Sequence, residues 1–252
     1  MKAQLPITWY ETIDSTNSEA RRHIGDGDKM SVFAAEYQTA GRGQRGNKWA
    51  STRGQNLMFS ILADFTAEGM PEVNAGEQFL LSIISALAVS DLLECYGIRN
   101  RIKWPNDIYI GDRKICGMLL ENSLTGNTIG SSIIGIGLNV NQTEFPPELM
   151  NPTSMTRVTG HTYTPEDVLT RLLDCFLNRF RGLSDRNGRK SLKKEYTDRL
   201  YRLLSPERYH DCITGNDFRG RIKGISDAGL LLMEMPDDSL RKYAFKEVSY
   251  II

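Results

Sequence analysis

Residues 101–140, RIKWPNDIYIGDRKICGMLLENSLTGNTIGSSIIGIGLNV, decide the architecture. Apolar and β-branched residues cluster there in three runs, Arg101 to Ile110, Lys114 to Glu121 and Ile129 to Val140. The Gly111-Asp112 pair between the first two is a short hairpin signal. Successive strands with no helix between them break any regular βαβ alternation, so the spacing predicts an α+β protein with a mixed β-sheet backed by helices.

Upstream, Leu80, Ile83, Ile84, Leu87, Leu92 and Leu93 recur at helical spacing from Glu77 to Tyr96, with Gly97 as the stop. Strands are expected at Ser31 to Tyr37 and Leu57 to Ala63. A helix from Asn17 to Ile24 should open on Thr16 and Glu19, which stand at capping-box spacing. Downstream, Thr164-Pro165-Glu166-Asp167 starts a helix reaching Phe180, and a second helix is expected from Leu192 to Leu204. After Ser205-Pro206 the texture changes to short strands and glycine turns. The chain therefore reads as a domain over 1–205 and a small β-barrel over 206–252.

With 252 residues, 40% apolar and 25% charged, the chain is long enough to bury a sizeable core unaided. Thirty-one basic residues balance 31 acidic ones, which argues against a protein whose main ligand is nucleic acid. The N-terminal sequence shows neither a signal peptide nor a membrane span, so a cytoplasmic protein without a membrane partner is expected. Cys95, Cys116, Cys175 and Cys212 are widely spaced in apolar surroundings, which suits packed, reduced thiols. His23, His161 and His210 lie far apart, so no metal ligands are assigned.

Four segments carry chemistry, and each also has a structural reading. Gly41-Arg42-Gly43-Gln44-Arg45-Gly46 combines glycines that turn backbone N–H groups inward with fixed cations, the makings of an anion cradle; it would equally serve as a mobile surface loop. Its cations have no partner in the nearby sequence, so it should order only around an anion. Lys103-Trp104-Pro105-Asn106-Asp107 interrupts an apolar strand with proline, marking either a site or an edge strand with a bulge. Lys114 heads a strongly apolar strand, facing inward to an anion or outward to solvent. Ile134-Gly135-Ile136-Gly137-Leu138-Asn139 bares one strand face, which admits either something flat or another backbone.

Taken in order, Asp14-Ser15-Thr16-Asn17, GRGQRGNKW, KWPND, KICGMLLE and GIGLNVN resemble the biotin protein ligase family. The resemblance implies a fold like that of class II aminoacyl-tRNA synthetases followed by an SH3-like β-barrel. It also implies ATP-dependent activation of biotin, with Mg²⁺, and transfer to a lysine of a biotin carboxyl carrier protein. On the matching positions, Ser15, Thr16, Asn17, Gln38, Gly41, Arg42, Gly43 and Gln44 would surround biotin over a floor of Gly135 and Gly137, and Lys114 would meet its carboxylate. Arg45, Trp49, Asn106, Asp107 and Asn139 would meet the nucleotide. Arg42, Lys103 and Lys114 would be catalytic, since two anionic reactants must be brought together.

Two departures stand out. Gln44 replaces an arginine of the familiar GRGRRG loop, and the C-terminal Lys246-Glu247-Val248-Ser249-Tyr250-Ile251 lacks an arginine that often touches ATP, for which Lys246 or Arg241 would be the substitutes. The alternatives are a lipoate or octanoate ligase, or a non-catalytic biotin or nucleotide sensor. About a dozen residues precede Ser15, too few for a DNA-binding module, so no DNA partner is expected. Exposed sheet edges would allow a homodimer.

Overall fold

The structure, a computed structural model, describes residues 5–43 and 46–252. Its larger sheet has seven strands: β1 (Ile7–Tyr10), β2 (Met30–Ala35), β3 (Leu57–Asp64), β4 (Arg101–Lys103), β5 (Asp107–Ile110), β6 (Arg113–Thr125) and β7 (Thr128–Leu138). They lie in the order β1-β2-β3-β7-β6-β5-β4, with β1 parallel to β2 and every other pair antiparallel. The mixed sheet expected from residues 101–140 is thus present.

Side chains alternate between the faces of a strand. Val32, Ile61 and Ile134 point to one face and join the main core, formed with α2 (Phe79–Cys95), α4 (Pro165–Phe180) and α5 (Arg186–Asp198). Helix α2 is apolar almost all round because the sheet lies on one side and α4 and α5 on the other. Residues 75–95 are long and apolar enough to cross a membrane by length and composition, yet 67% of the most apolar window is buried inside the protein, which accounts for that apolarity. Each buried leucine or isoleucine of α2 contributes about 1.5–3 kcal/mol relative to exposure. Gly97, at φ +72°, ends the segment.

Phe33, Leu62 and Ile133 point to the opposite face and meet Ala20 of α1 (Thr16–Arg22). Helix α1 covers only that end of the face. The rest is the floor of the site described below.

Several boundaries differ from expectation. Helix α1 starts at Thr16 with Ser15 as N-cap and no capping-box bond, because the Thr16 N–H donates instead to Gln38 Oε1. The run Arg101 to Ile110 is two strands, β4 and β5, folded on each other about Trp104-Pro105-Asn106, whose Trp104–Pro105 peptide is cis. Helix α5 begins six residues before Leu192, where Asp185 accepts from the N–H groups of Asn187 and Gly188, and ends at Asp198. Arg202 and Leu204, both at positive φ, break the chain where the helix was expected to continue. A short α3 (Met155–Thr159) was not foreseen. Among the cysteines only Cys116 is buried; Cys175 is half-buried, while Cys95 and Cys212 are exposed, and all four are free.

From Pro206 a second, antiparallel sheet follows: β8 (Pro206–Asp211), β9 (Asn216–Ile225), β10 (Leu231–Glu234), β11 (Leu240–Tyr243) and β12 (Val248–Tyr250), in the order β11-β10-β9-β8-β12. Tyr209, Ile222, Leu231, Met233, Tyr243 and Val248 fill it, while Arg219, Arg221 and Lys223 alternate outward along β9. This second antiparallel sheet is consistent with the small barrel expected after the larger sheet. It is docked on the larger sheet at the β4–β5 turn, where the Trp104 indole N–H donates to the Gly229 carbonyl at 2.9 Å. A side chain at Gly229 would collide with Phe79, its Cβ falling 2.2 Å from the ring.

Candidate active site

Register brings the expected motifs together on the face of the sheet that α1 leaves uncovered. Met58, Gly137, Gly117 and Asp107 form one row across β3, β7, β6 and β5, and Ser60, Gly135 and Leu119 form the next. Small residues in the middle of both rows make a trough. The resulting cavity, about 730 Å³, is lined by every expected site residue within the described part of the chain except Gly41. Gln44 and Arg45 lie outside the described residues.

The alternation of glycine and aliphatics in β7 now has its reason. A Cβ on Gly137 would fall 2.4 Å from the Trp49 indole, and one on Gly135 would fall 2.1 Å from Asn17 Oδ1. Flat side chains, rather than a backbone, approach the bare strand face. The Trp49 Nε1 is buried without a partner among the described residues, a polar atom held in reserve at the floor of the trough.

At one end lies a neutral polar cluster. Ser15, Thr16 and Asn17 are buried at the start of α1, where Thr16 Oγ1 also stands 3.2 Å from Gln38 Oε1. Ser60, fully buried on β3, sits 2.8 Å from Thr16 Oγ1 and 2.6 Å from Asn17 Oδ1. Asn17 donates to Glu121 at 2.8 Å, and Glu121 also pairs with Arg21 at 2.9 Å and with Arg42 at 3.2 Å. Arg42 therefore has an anionic partner in the protein itself, contrary to the expectation that the loop's cations lack one. Its loop is further pinned by the Gly43 N–H donating to the Asn47 carbonyl at 2.7 Å and the Trp49 N–H donating to the Gly41 carbonyl at 3.0 Å. Gly41 serves this closure: a Cβ there would fall 2.7 Å from the Trp49 carbonyl.

At the other end the charges gather. Lys114 Nζ is 2.8 Å from Asp107 Oδ1 and lies over the Trp49 ring at 5.9 Å, so the lysine heading the apolar strand faces an anion. Lys103 donates to the Tyr109 hydroxyl at 3.0 Å and rests against the rings of Tyr109 and Tyr250, at 4.6 and 4.9 Å. Burial pushes its pKa down to about 8; Asp107 opposes the shift, while Lys114 and Arg202 add to it. Asn106 donates to the Met118 carbonyl, which ties the β4–β5 turn to β6, and Asn139 donates to the Thr153 carbonyl at 2.9 Å. The KWPND segment is thus both an edge and part of a site.

Sequence reasoning missed Ser60, a lone serine inside the apolar β3, and Glu121, which opens the polar stretch of β6. It also missed the strap after β7, with Phe145, Leu149 and the 81% exposed Met150, and the contribution of the small sheet, Phe245, Val248, Ser249 and Tyr250. Neither Lys246 nor Arg241, the suggested substitutes for a C-terminal arginine, lines the cavity.

Fold and trough together define a protein with a deep polar cleft on one face of a mixed sheet, and its relatives are ATP-dependent ligases. The chain belongs to the Biotin/lipoate A/B protein ligase family, whose profile matches residues 9–139. It is 31% identical to the biotin--[acetyl-CoA-carboxylase] ligase of Paracoccus denitrificans over 88% of this chain and 92% of that one. It is 32% identical to the bifunctional ligase/repressor BirA of Salmonella typhimurium over 98% of this chain and 73% of the relative. The solved biotin protein ligase of Aquifex aeolicus, in complex with biotin and ATP, superposes with a TM-score of 0.77 at 27% identity and covers 97% of each chain.

Proposed function

We propose that this protein activates biotin with ATP and transfers the biotinyl group to a lysine of a biotin carboxyl carrier protein. The observation that carries the reading is the polarity of the trough: buried neutral hydrogen-bonding groups beside the neutralised Arg42–Glu121 pair at one end, two lysines with one carboxylate at the other, and an indole over glycines between them. Such a site suits a ligand with a neutral polar ring at one end and a carboxylate at the other, placed beside a nucleotide. The named activities of the relatives and the biotin and ATP bound by the Aquifex enzyme support it.

On this reading Ser15, Thr16, Asn17, Gln38, Gly41, Arg42 and Gly43 form the biotin end, over Gly135 and Gly137. Trp49, Asn106, Asp107 and Asn139 form the nucleotide end. The biotin carboxylate oxygen attacks the α-phosphorus of ATP, the bond to the β-phosphate breaks, and pyrophosphate leaves. Lys114, Lys103 and Arg42 offset the charge of two anions brought together. Asp107 and Asn106 offer oxygen donors that would suit Mg²⁺ brought in with the triphosphate, and the ion would neutralise phosphate charge there. The carrier amine then attacks the acyl carbon, and AMP departs with the bonding pair.

The same reading treats residues 1–205 as the catalytic unit and 206–252 as a barrel that closes one side of its nucleotide end. It places the protein in the cytoplasm, acting without DNA, and allows two copies to pair through the open edge of β1. The balanced charge supports the first of these partner statements. ATP–pyrophosphate exchange tests the function: biotin should support it, and lipoate and octanoate should not. Exchange with lipoate or octanoate alone would overturn the assignment.

A further inference from the structure

A chain of hydrogen bonds runs from the rim of the cavity to its inner end, and its direction is fixed. Asn17 Nδ2 donates to Glu121 Oε2 at 2.8 Å and to the Leu119 carbonyl at 3.3 Å. A carbonyl and a carboxylate bound to two arginines are acceptors only, so the Asn17 amide has one orientation and presents Oδ1 to Ser60. Ser60 has a single proton. Asn17 Oδ1, 2.6 Å away, has none to give, so the Ser60 proton goes there, and the proton in the 2.8 Å contact between Ser60 and Thr16 must come from Thr16. The alternative destination for that proton, Gln38 Oε1, is farther at 3.2 Å and already accepts the Thr16 backbone N–H at 2.7 Å.

Thr16 Oγ1 thereby keeps lone-pair capacity for the cavity. Gln38 is oriented by the same logic: with Oε1 committed to a backbone donor, Nε2 is left as a donor beside Gly41, without a protein acceptor among the described residues.

We propose that Glu121, acting through Asn17 and Ser60, is a positioning residue that makes Thr16 the acceptor of the inner pocket, opposite the donor that the Thr16 backbone N–H orients at Gln38. The group that fits is an N–H next to a carbonyl, as in a cyclic urea. The inference rests on the ligase reading above and deepens it. It names two residues, Glu121 and Ser60, that do not line the cavity yet decide which ring is accepted.

The test compares biotin with the two isosteric carbamates in which one or the other ring N–H is replaced by oxygen, each in pyrophosphate exchange with MgATP. The wild-type protein should prefer biotin by at least about tenfold over the isomer that sets oxygen against Thr16, since two acceptors then face each other. Ser60→Ala frees the Thr16 proton to turn to the ring oxygen. The preference should shrink by about tenfold, with KM for biotin raised and KM for ATP unchanged, a split that general loosening of the fold does not produce. Glu121→Gln, whose amide can donate or accept, should shrink it in the same sense. Because Glu121→Gln also releases Arg42 while Ser60→Ala does not, agreement between the two isolates the relay, and Ser60→Ala decides alone if the other fails to fold. An unchanged preference in Ser60→Ala, or none in the wild type, overturns the proposal. No exchange with biotin in the wild type defeats the ligase reading itself.

Discussion

Two charged networks of similar size lie on opposite faces of the large sheet, and they differ in how completely their groups are satisfied. Behind the sheet, Asp91 of α2 accepts from Arg179 Nε at 2.6 Å, Arg179 Nη2 at 2.8 Å and Arg199 Nη1 at 2.7 Å, while Arg179 also pairs with Glu195 at 2.6 Å. Burial alone would raise the Asp91 pKa, but the two guanidinium groups outweigh it and hold the carboxyl below its usual range. In front, Lys103 and Lys114 share Asp107 as their nearby carboxylate, and Trp49 Nε1 has no partner among the described residues. The closed network ties α2, α4 and α5 together. The open one retains spare positive charge and spare donors, which is what a binding site for two anions requires.

The sharpest way to break this contrast is to remove one cation from each network. Lys114→Ala should lower pyrophosphate exchange by about a hundredfold with little change in melting temperature. An unfolded or fully active variant would place Lys114 in the structural class. Arg179→Met should do the reverse, costing about 2 kcal/mol in urea unfolding because Asp91 loses its bidentate partner, while exchange per folded molecule stays at the wild-type level. Loss of activity without loss of stability would mean that the rear network is not merely structural.

Gly137→Ala sharpens the front half. The added methyl forces the Trp49 indole off its seat, so KM for ATP should rise about tenfold, while calorimetric affinity for biotin alone stays within about twofold. Equal weakening of both ligands would put Trp49 at the boundary of the two subsites.

The smallest expected effect concerns pH. Lys103 has a folded-state pKa of about 8 against an ordinary 10.5, so between these values the unfolded chain binds more protons and stability should rise with pH. Its charge is lost over the same window, so kcat/KM for ATP should fall several-fold above about pH 8. Lys103→Arg should flatten that fall, because a guanidinium stays charged. A wild-type profile flat from pH 7 to 9.5 would remove Lys103 from the charge count of the site.

Most of the sheet was legible because period-two alternation and turn residues are local signals. The strand runs from Ser31 onward were found, but β1 was not, because four residues at a sheet edge carry little alternation. The break at Pro105 correctly marked an unusual place, although the sequence could not say that it folds β4 back on β5. Helix α5 was misplaced because its start depends on one aspartate cap and its end on two residues at positive φ, neither of which periodicity reveals. In the site, glycine pairs and clustered cations were visible as motifs. Ser60 and Glu121 were not, because a serine inside an apolar strand, or a glutamate at the start of a polar stretch, becomes informative only when the fold sets it opposite Gly135 or beside Asn17. The Glu121 partner of Arg42, 79 residues away in sequence, is the same kind of fact.

On the proposed function, the open network serves to join biotin to a protein amine. Mass spectrometry of a biotin carboxyl carrier domain, incubated with this protein, biotin and MgATP, tests it most directly. A mass gain of one biotinyl group on a single lysine is expected, dependent on ATP and slowed about a hundredfold by Lys114→Ala. A carrier domain whose mass is unchanged, under conditions where a known biotin ligase modifies it fully, would contradict it.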